Sequence, residues 1–152
     1  MKKTFRLLST AIGSLALLGL PAAARAQLGT GTIIEADVPF AFHAGEARLP
    51  KGEYRLRVPE DGDGNLMEIR AVEQGPAAIF QVFGTEDRHS PTDSMLVFDK
   101  YGDTYYLRRV IQQGNPDGDE LPVSRSEISL RKELAHGNKT AELRIPARSR
   151  AS

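Results

Sequence analysis

Alternation with a period of two is the feature that most restricts this chain. From Ile34 the apolar residues fall on every second position, Ile34, Ala36, Val38, Phe40 and Phe42, while Glu35, Asp37 and His43 take the other side. Successive side chains of a strand point to opposite faces, so this pattern predicts a strand with one face in a core and one in water. Pro39 interrupts it. A proline cannot donate to a ladder, which predicts an edge strand, a bulge or a break into two short strands. A second run follows, with Tyr54, Leu56 and Val58 on one face and Glu53, Arg55 and Arg57 on the other. Between the two runs, Leu49-Pro50-Lys51-Gly52 suits a type I turn, with proline second and glycine fourth.

The same punctuation continues downstream. Asp61-Gly62-Asp63-Gly64-Asn65 has nothing to pack and reads as a turn, with Leu66 to Ala71 returning as the second strand of a hairpin. Pro76 to Phe83 reads as a buried strand. Ser94 to Lys100 and Thr104 to Gln112 flank a tight Tyr101-Gly102-Asp103 connection, and the polar stretches 84–93 and 114–120 read as loops. One helix is expected late, where Ser124 and Glu127 have capping-box spacing, Glu127 and Arg131 are four apart, and Gly137 is a natural stop. Ala141 to Ile145 reads as a last short strand, with the remainder frayed. The predicted fold is mainly β, a small antiparallel β-sandwich or barrel of about seven to eight strands with one late α-helix.

The first 26 residues read as an address rather than as part of that fold. Lys2, Lys3 and Arg6 precede an uncharged apolar stretch, Leu7 to Leu20, which is short for a membrane span. Ala24-Arg25-Ala26 places cleavage before Gln27, with Ala22-Ala23-Ala24 as the competing site. Export is therefore expected, to the periplasm or beyond the cell, leaving a single β-rich domain over 27–152 with a short frayed C-terminal tail. The whole chain carries 20 basic and 20 acidic residues; the leader takes four basic ones with it, leaving 16 against 20. A mildly acidic domain whose only basic concentration is Arg144, Arg148 and Arg150 is a poor nucleic-acid binder. The chain has no cysteine, so packing alone must stabilise it, and thiol, Fe–S and Cys-ligated zinc chemistry are excluded.

Few residues are arranged for chemistry. Asp61, Asp63 and Asn65 have the spacing that opens a calcium loop, but the sixth position is Leu66 and the twelfth Val72, where glycine and a bidentate Glu belong. A solvated turn explains them better. His43, His89 and His136 lie too far apart for a paired ligand motif. His89 has Glu86, Asp87 and Asp93 around it, and a polar loop accounts for the same letters. No nucleophile elbow and no glycine-rich phosphate cradle leading into a helix is present. No cofactor is implied. The aromatic group Tyr101, Tyr105 and Tyr106 is a candidate exposed patch for sugar or protein recognition, against ordinary cross-strand packing. The leading expectation is a non-enzymatic exported module that binds a glycan or an envelope protein, or has a structural role there. The alternative is a small hydrolase or metal-dependent enzyme using His43 or His89 with nearby carboxylates.

The string V-P-F-A-F-H-A-G-x-x-x-L-P-x-G-x-Y from Val38 to Tyr54 resembles the opening of a family of small exported β-rich proteins, uncharacterised in activity and seen mostly in acidobacterial genomes. Val97-Phe98-Asp99-Lys100-Tyr101-Gly102, Tyr105-Tyr106-Leu107 and Leu121-Pro122-x-Ser124-x-x-Glu127 extend the resemblance to about Leu134. It implies export and supplies no catalytic or binding residues.

Overall fold

A computed structural model of the protein describes residues 31–59, 64–86, 91–134, 139 and 141–151. In chain order the strands are β1 (Thr32–Val38), β2 (Phe42–Ala44), β3 (Ala47–Leu49), β4 (Gly52–Arg57), β5 (Leu66–Ala71) and β6 (Ala77–Gln81). They continue with β7 (Phe83–Glu86), β8 (Ser94–Tyr101), β9 (Thr104–Ile111), β10 (Asp117–Glu120), helix α1 (Arg125–Glu133) and β11 (Ala141–Ala151). Eleven strands exceed the expected number, but the class is the one expected: mainly β, in a nearly closed, barrel-like sheet with one late helix.

Closure depends on one extended run that changes partners. β6 pairs antiparallel with β5, and β7, one residue later, pairs with β10. The switch is at Val82, which is 1% exposed and donates its N–H to the Asn65 carbonyl at 2.8 Å. Counting β6 and β7 as one position and setting the β2–β3 hairpin aside, the eleven strands make eight positions: β1, β4, β5, β6/β7, β10, β9, β8 and β11, returning to β1. A sheet so nearly closed leaves little free edge among the described residues, which is how small β-proteins limit edge-to-edge association.

The alternation places the core as expected. Ile34, Val38, Tyr54 and Leu56 point inward from β1 and β4, and meet Met67, Ile69, Phe80, Leu96, Phe98, Leu107 and Val110. Phe42 packs edge-to-face on both Tyr54 and Phe98, with ring centroids 5.3 Å apart in each pair. Each such fully buried side chain contributes about 1.5–3 kcal/mol. Pro39 is a break: β1 ends at Val38 and β2 begins at Phe42. The β2–β3 hairpin turns at Gly45-Glu46. Gly45 has φ +60, and a Cβ there would stand 3.3 Å from the Phe80 Cβ, so only glycine lets this turn close against β6.

Three polar segments are strands where loop or fraying was expected; the first, residues 84–86, belongs to β7. Asp117–Glu120 forms β10, held between β7 and β9 by backbone pairing rather than by apolar side chains. The C-terminal run does not fray after Ile145: β11 extends to Ala151, pairing with β8 as far as Ala147 and with β1 from Arg148 onward. Helix α1 begins as expected, with the Ser124 hydroxyl accepting from the Glu127 N–H at 3.1 Å. Among the described residues no helix is long and apolar enough to cross a membrane.

Candidate functional site

Two of the three tyrosines of the expected patch are not at the surface. Tyr101 and Tyr106 are each 4% exposed. Helix α1 covers them, and beside them β9 carries a β-bulge: it pairs Arg109 with Val97 but Leu107 with Phe98, so Arg108 is the extra residue. Its guanidinium joins the barrel to α1. Nε donates to Asp99 (2.9 Å), Nη1 to the Leu121 carbonyl (2.9 Å), and Nη2 to both oxygens of Glu127 (2.5 and 2.6 Å). Lys139 Nζ completes the group, 3.0 Å from the other Asp99 oxygen. Instead of reaching back to the helix cap, Glu127 turns to the barrel and also accepts from the Tyr101 hydroxyl at 2.9 Å. Burial, reinforced by that carboxylate, pushes the Tyr101 phenol up to about 12. This is a satisfied structural network beneath a helix, with its tyrosines closed to ligand.

The rim of the barrel is different. Cross-strand register sets Arg48 opposite His43 on β3 and β2, and His43 beside Tyr106 of β9 through a parallel bridge. The imidazole stacks on the Tyr106 ring at 4.7 Å. Tyr105, alternating to the other face, stacks on Phe40 at 4.0 Å, with Lys100 Nζ 5.4 Å from its ring centre. Around these groups lies an open cleft of about 380 Å³, lined by Phe40, Ala41, His43, Arg48, Asp103, Thr104 and Tyr105. Two candidates far apart in sequence, His43 and Tyr105, therefore meet at one site.

Burial, and then the charge of Arg48, lower the His43 pKa, keeping the ring neutral at neutral pH. Its Nδ1 is buried and has no hydrogen-bond partner among the described residues. A catalytic imidazole is ordinarily oriented by an acceptor on that nitrogen. What the cleft offers is recognition chemistry: a guanidinium, a carboxylate, a hydroxyl and aromatic surface within one small concavity. Arg48, Asp103 and Thr104 were not singled out from the sequence. A two-residue hairpin turn at Gly45-Glu46 pairs residue 43 with residue 48, and that was the available signal.

The other candidates do not gather. Asp61, Asp63 and His89 lie outside the described residues. The Asn65 carbonyl serves the β5–β6 ladder, and among the described residues no three His, Asp or Glu side chains are placed to share a metal. Asp119, read from the sequence as part of a polar loop, lies instead on β10, 4% exposed and opposite the core residue Val110. Burial, and secondarily the charge of Asp117, push its carboxyl up to about 6.

The fold and the rim together define a small, nearly closed antiparallel barrel, its interior filled by side chains, with a helix strapped to the outside and a polar–aromatic cleft at one end. No family model, curated protein or solved structure matches the chain.

Proposed function

We propose that the protein is an exported, non-enzymatic binding module of the cell envelope or secreted fraction, holding a polar ligand, a glycan in the first instance, in the rim cleft. The observation that carries this reading is the convergence of His43, Arg48, Asp103 and Tyr105 on one open concavity. The apolar core fills the barrel, so recognition falls to the exterior. A planar guanidinium with a carboxylate nearby suits the paired hydroxyls of a sugar, and an aromatic ring suits its apolar face. The resemblance to exported acidobacterial proteins agrees with this placement, and cleavage before Gln27 is checked by the mass of the protein recovered outside the cytoplasm.

The test is a glycan array followed by calorimetry on any hit. Arg48→Ala and Asp103→Ala should each weaken binding about tenfold without lowering thermal stability; binding indifferent to both substitutions places the ligand elsewhere. The enzymatic reading keeps one favourable observation, that His43 shares the cleft with Asp103. It requires a hydrolytic activity lost in His43→Gln, and inactivity of the wild type on broad ester, glycoside and phosphate panels removes it.

A further inference from the structure

Beyond the rim cleft, the outer face over β4 to β7 combines two features that a barrel exterior does not need. The first is arginine crowding. Register places Arg148, Glu35, Arg55 and Arg70 in one row across β11, β1, β4 and β5. Arg55 and Arg70 stand directly opposite each other, a like-charge pairing that opposes folding. Arg57 and Arg150 lie in the neighbouring row, where Arg57 faces Glu68 and Arg150 faces Ile33. Two carboxylates serve four of these five arginines: Glu35 takes Arg55 and Arg150, and Glu68 takes Arg57 and Arg70. Arg55 and Arg57 engage through Nε, leaving their Nη groups to donate outward. The two rows thus carry five arginines against Glu35 and Glu68, a local basic excess that linear sequence concealed, bordered on one side by the Asp37–Glu53 pair.

The second feature is an apolar ridge along the same face. Leu66, Ile79 and Phe83 are 36, 64 and 51% exposed. Ile79 lies across from Glu68, so it extends the Arg57–Glu68 row, and Leu66 lies across from Gln81. Phe83 follows two residues on, opposite Glu120, where the patch ends. One occupant uses both features. A free polyanion would engage the arginines and leave the ridge in water. A second copy would cover the ridge but set arginines against arginines.

We propose that this face seats the protein on an anionic phospholipid bilayer, the guanidinium groups on headgroup phosphates and Ile79, Phe83 and Leu66 in the interfacial layer. Electrostatic attraction of clustered basic residues and shallow apolar burial are the two components of such peripheral binding. Each alone is weak, so the attachment is reversible and sensitive to salt.

Co-sedimentation with equimolar phosphatidylglycerol–phosphatidylcholine vesicles tests it, with pure phosphatidylcholine vesicles as the comparison. The protein should bind the anionic vesicles at low salt, release at high salt, and ignore the neutral ones. Arg55→Gln with Arg148→Gln, which leaves Glu35 paired with Arg150 and Glu68 with both its arginines, should reduce binding roughly 25-fold, about fivefold per arginine. Ile79→Ser with Phe83→Ser should reduce it at least tenfold, while both pairs keep the wild-type melting temperature within a few degrees, these being surface positions. Binding lost in the arginine pair but untouched in the serine pair overturns the proposal in favour of a soluble polyanion. A wild-type dimer that becomes monomeric in the serine pair overturns it in favour of self-association. Absence of binding to anionic vesicles overturns it outright.

Discussion

Asp119→Asn should stabilise the protein at neutral pH and do nothing at pH 4. The carboxyl is 4% exposed, and burial lifts its pKa to about 6 against an ordinary value of 3.8. Between those two values the folded protein keeps a proton that the unfolded chain has released. Stability therefore falls as pH rises through that window, at up to about 1.4 kcal/mol per pH unit. Summed over the shift, the ionised carboxylate opposes folding by about 3 kcal/mol above pH 7. Asparagine matches the protonated acid in shape and cannot ionise. Urea unfolding at a series of pH values reads the effect directly. With a urea m-value of about 1.5 kcal/mol per M, the variant's midpoint should exceed wild type by about 2 M at pH 7.5 and coincide with it near pH 4. A variant less stable than wild type at pH 7.5, or a difference that does not change with pH, would show that Asp119 is charged and paired in the fold.

Other consequences concern what holds the barrel together. Arg108→Met strands Glu127 without its cation, leaves Asp99 to Lys139 alone, and should cost about 3–5 kcal/mol, whereas Arg108→Met combined with Glu127→Met and Asp99→Leu should recover most of that loss in denaturant midpoints. Gly45→Ala meets both a positive φ and the Phe80 Cβ, and should lower stability by about 1–2 kcal/mol in the same assay. Ending the chain after Ile145 removes the whole β1–β11 ladder, so circular dichroism should report a largely unfolded protein, not a domain relieved of a tail.

What the sequence disclosed depended on whether side chains or backbone carried the structure. β1, β4 and the β8–β9 hairpin declare themselves because apolar residues alternate over enough positions to specify a face. Ser124 declares the helix start because its oxygen caps a particular N–H. Asp117–Glu120 and residues 146–151 are silent, since an acidic tetrapeptide and an Arg–Ser–Pro run join the sheet through N–H and C=O groups that every sequence shares. Alternation also says only that Tyr105 and Tyr106 face opposite ways. It does not say that α1, tied to Arg108 through Glu127, covers the second of them. The arginine face escaped for a related reason: Arg55, Arg70 and Arg148 become neighbours only when four strands are set side by side.

The rim cleft is tested most directly by amide chemical-shift mapping of the mature domain against soluble envelope glycan fragments. Saturable shifts should appear at residues 40–48 and 101–106, and disappear in Arg48→Ala. Shifts confined to other parts of the barrel, or none with any fragment, would contradict a glycan-binding role for this end of the molecule.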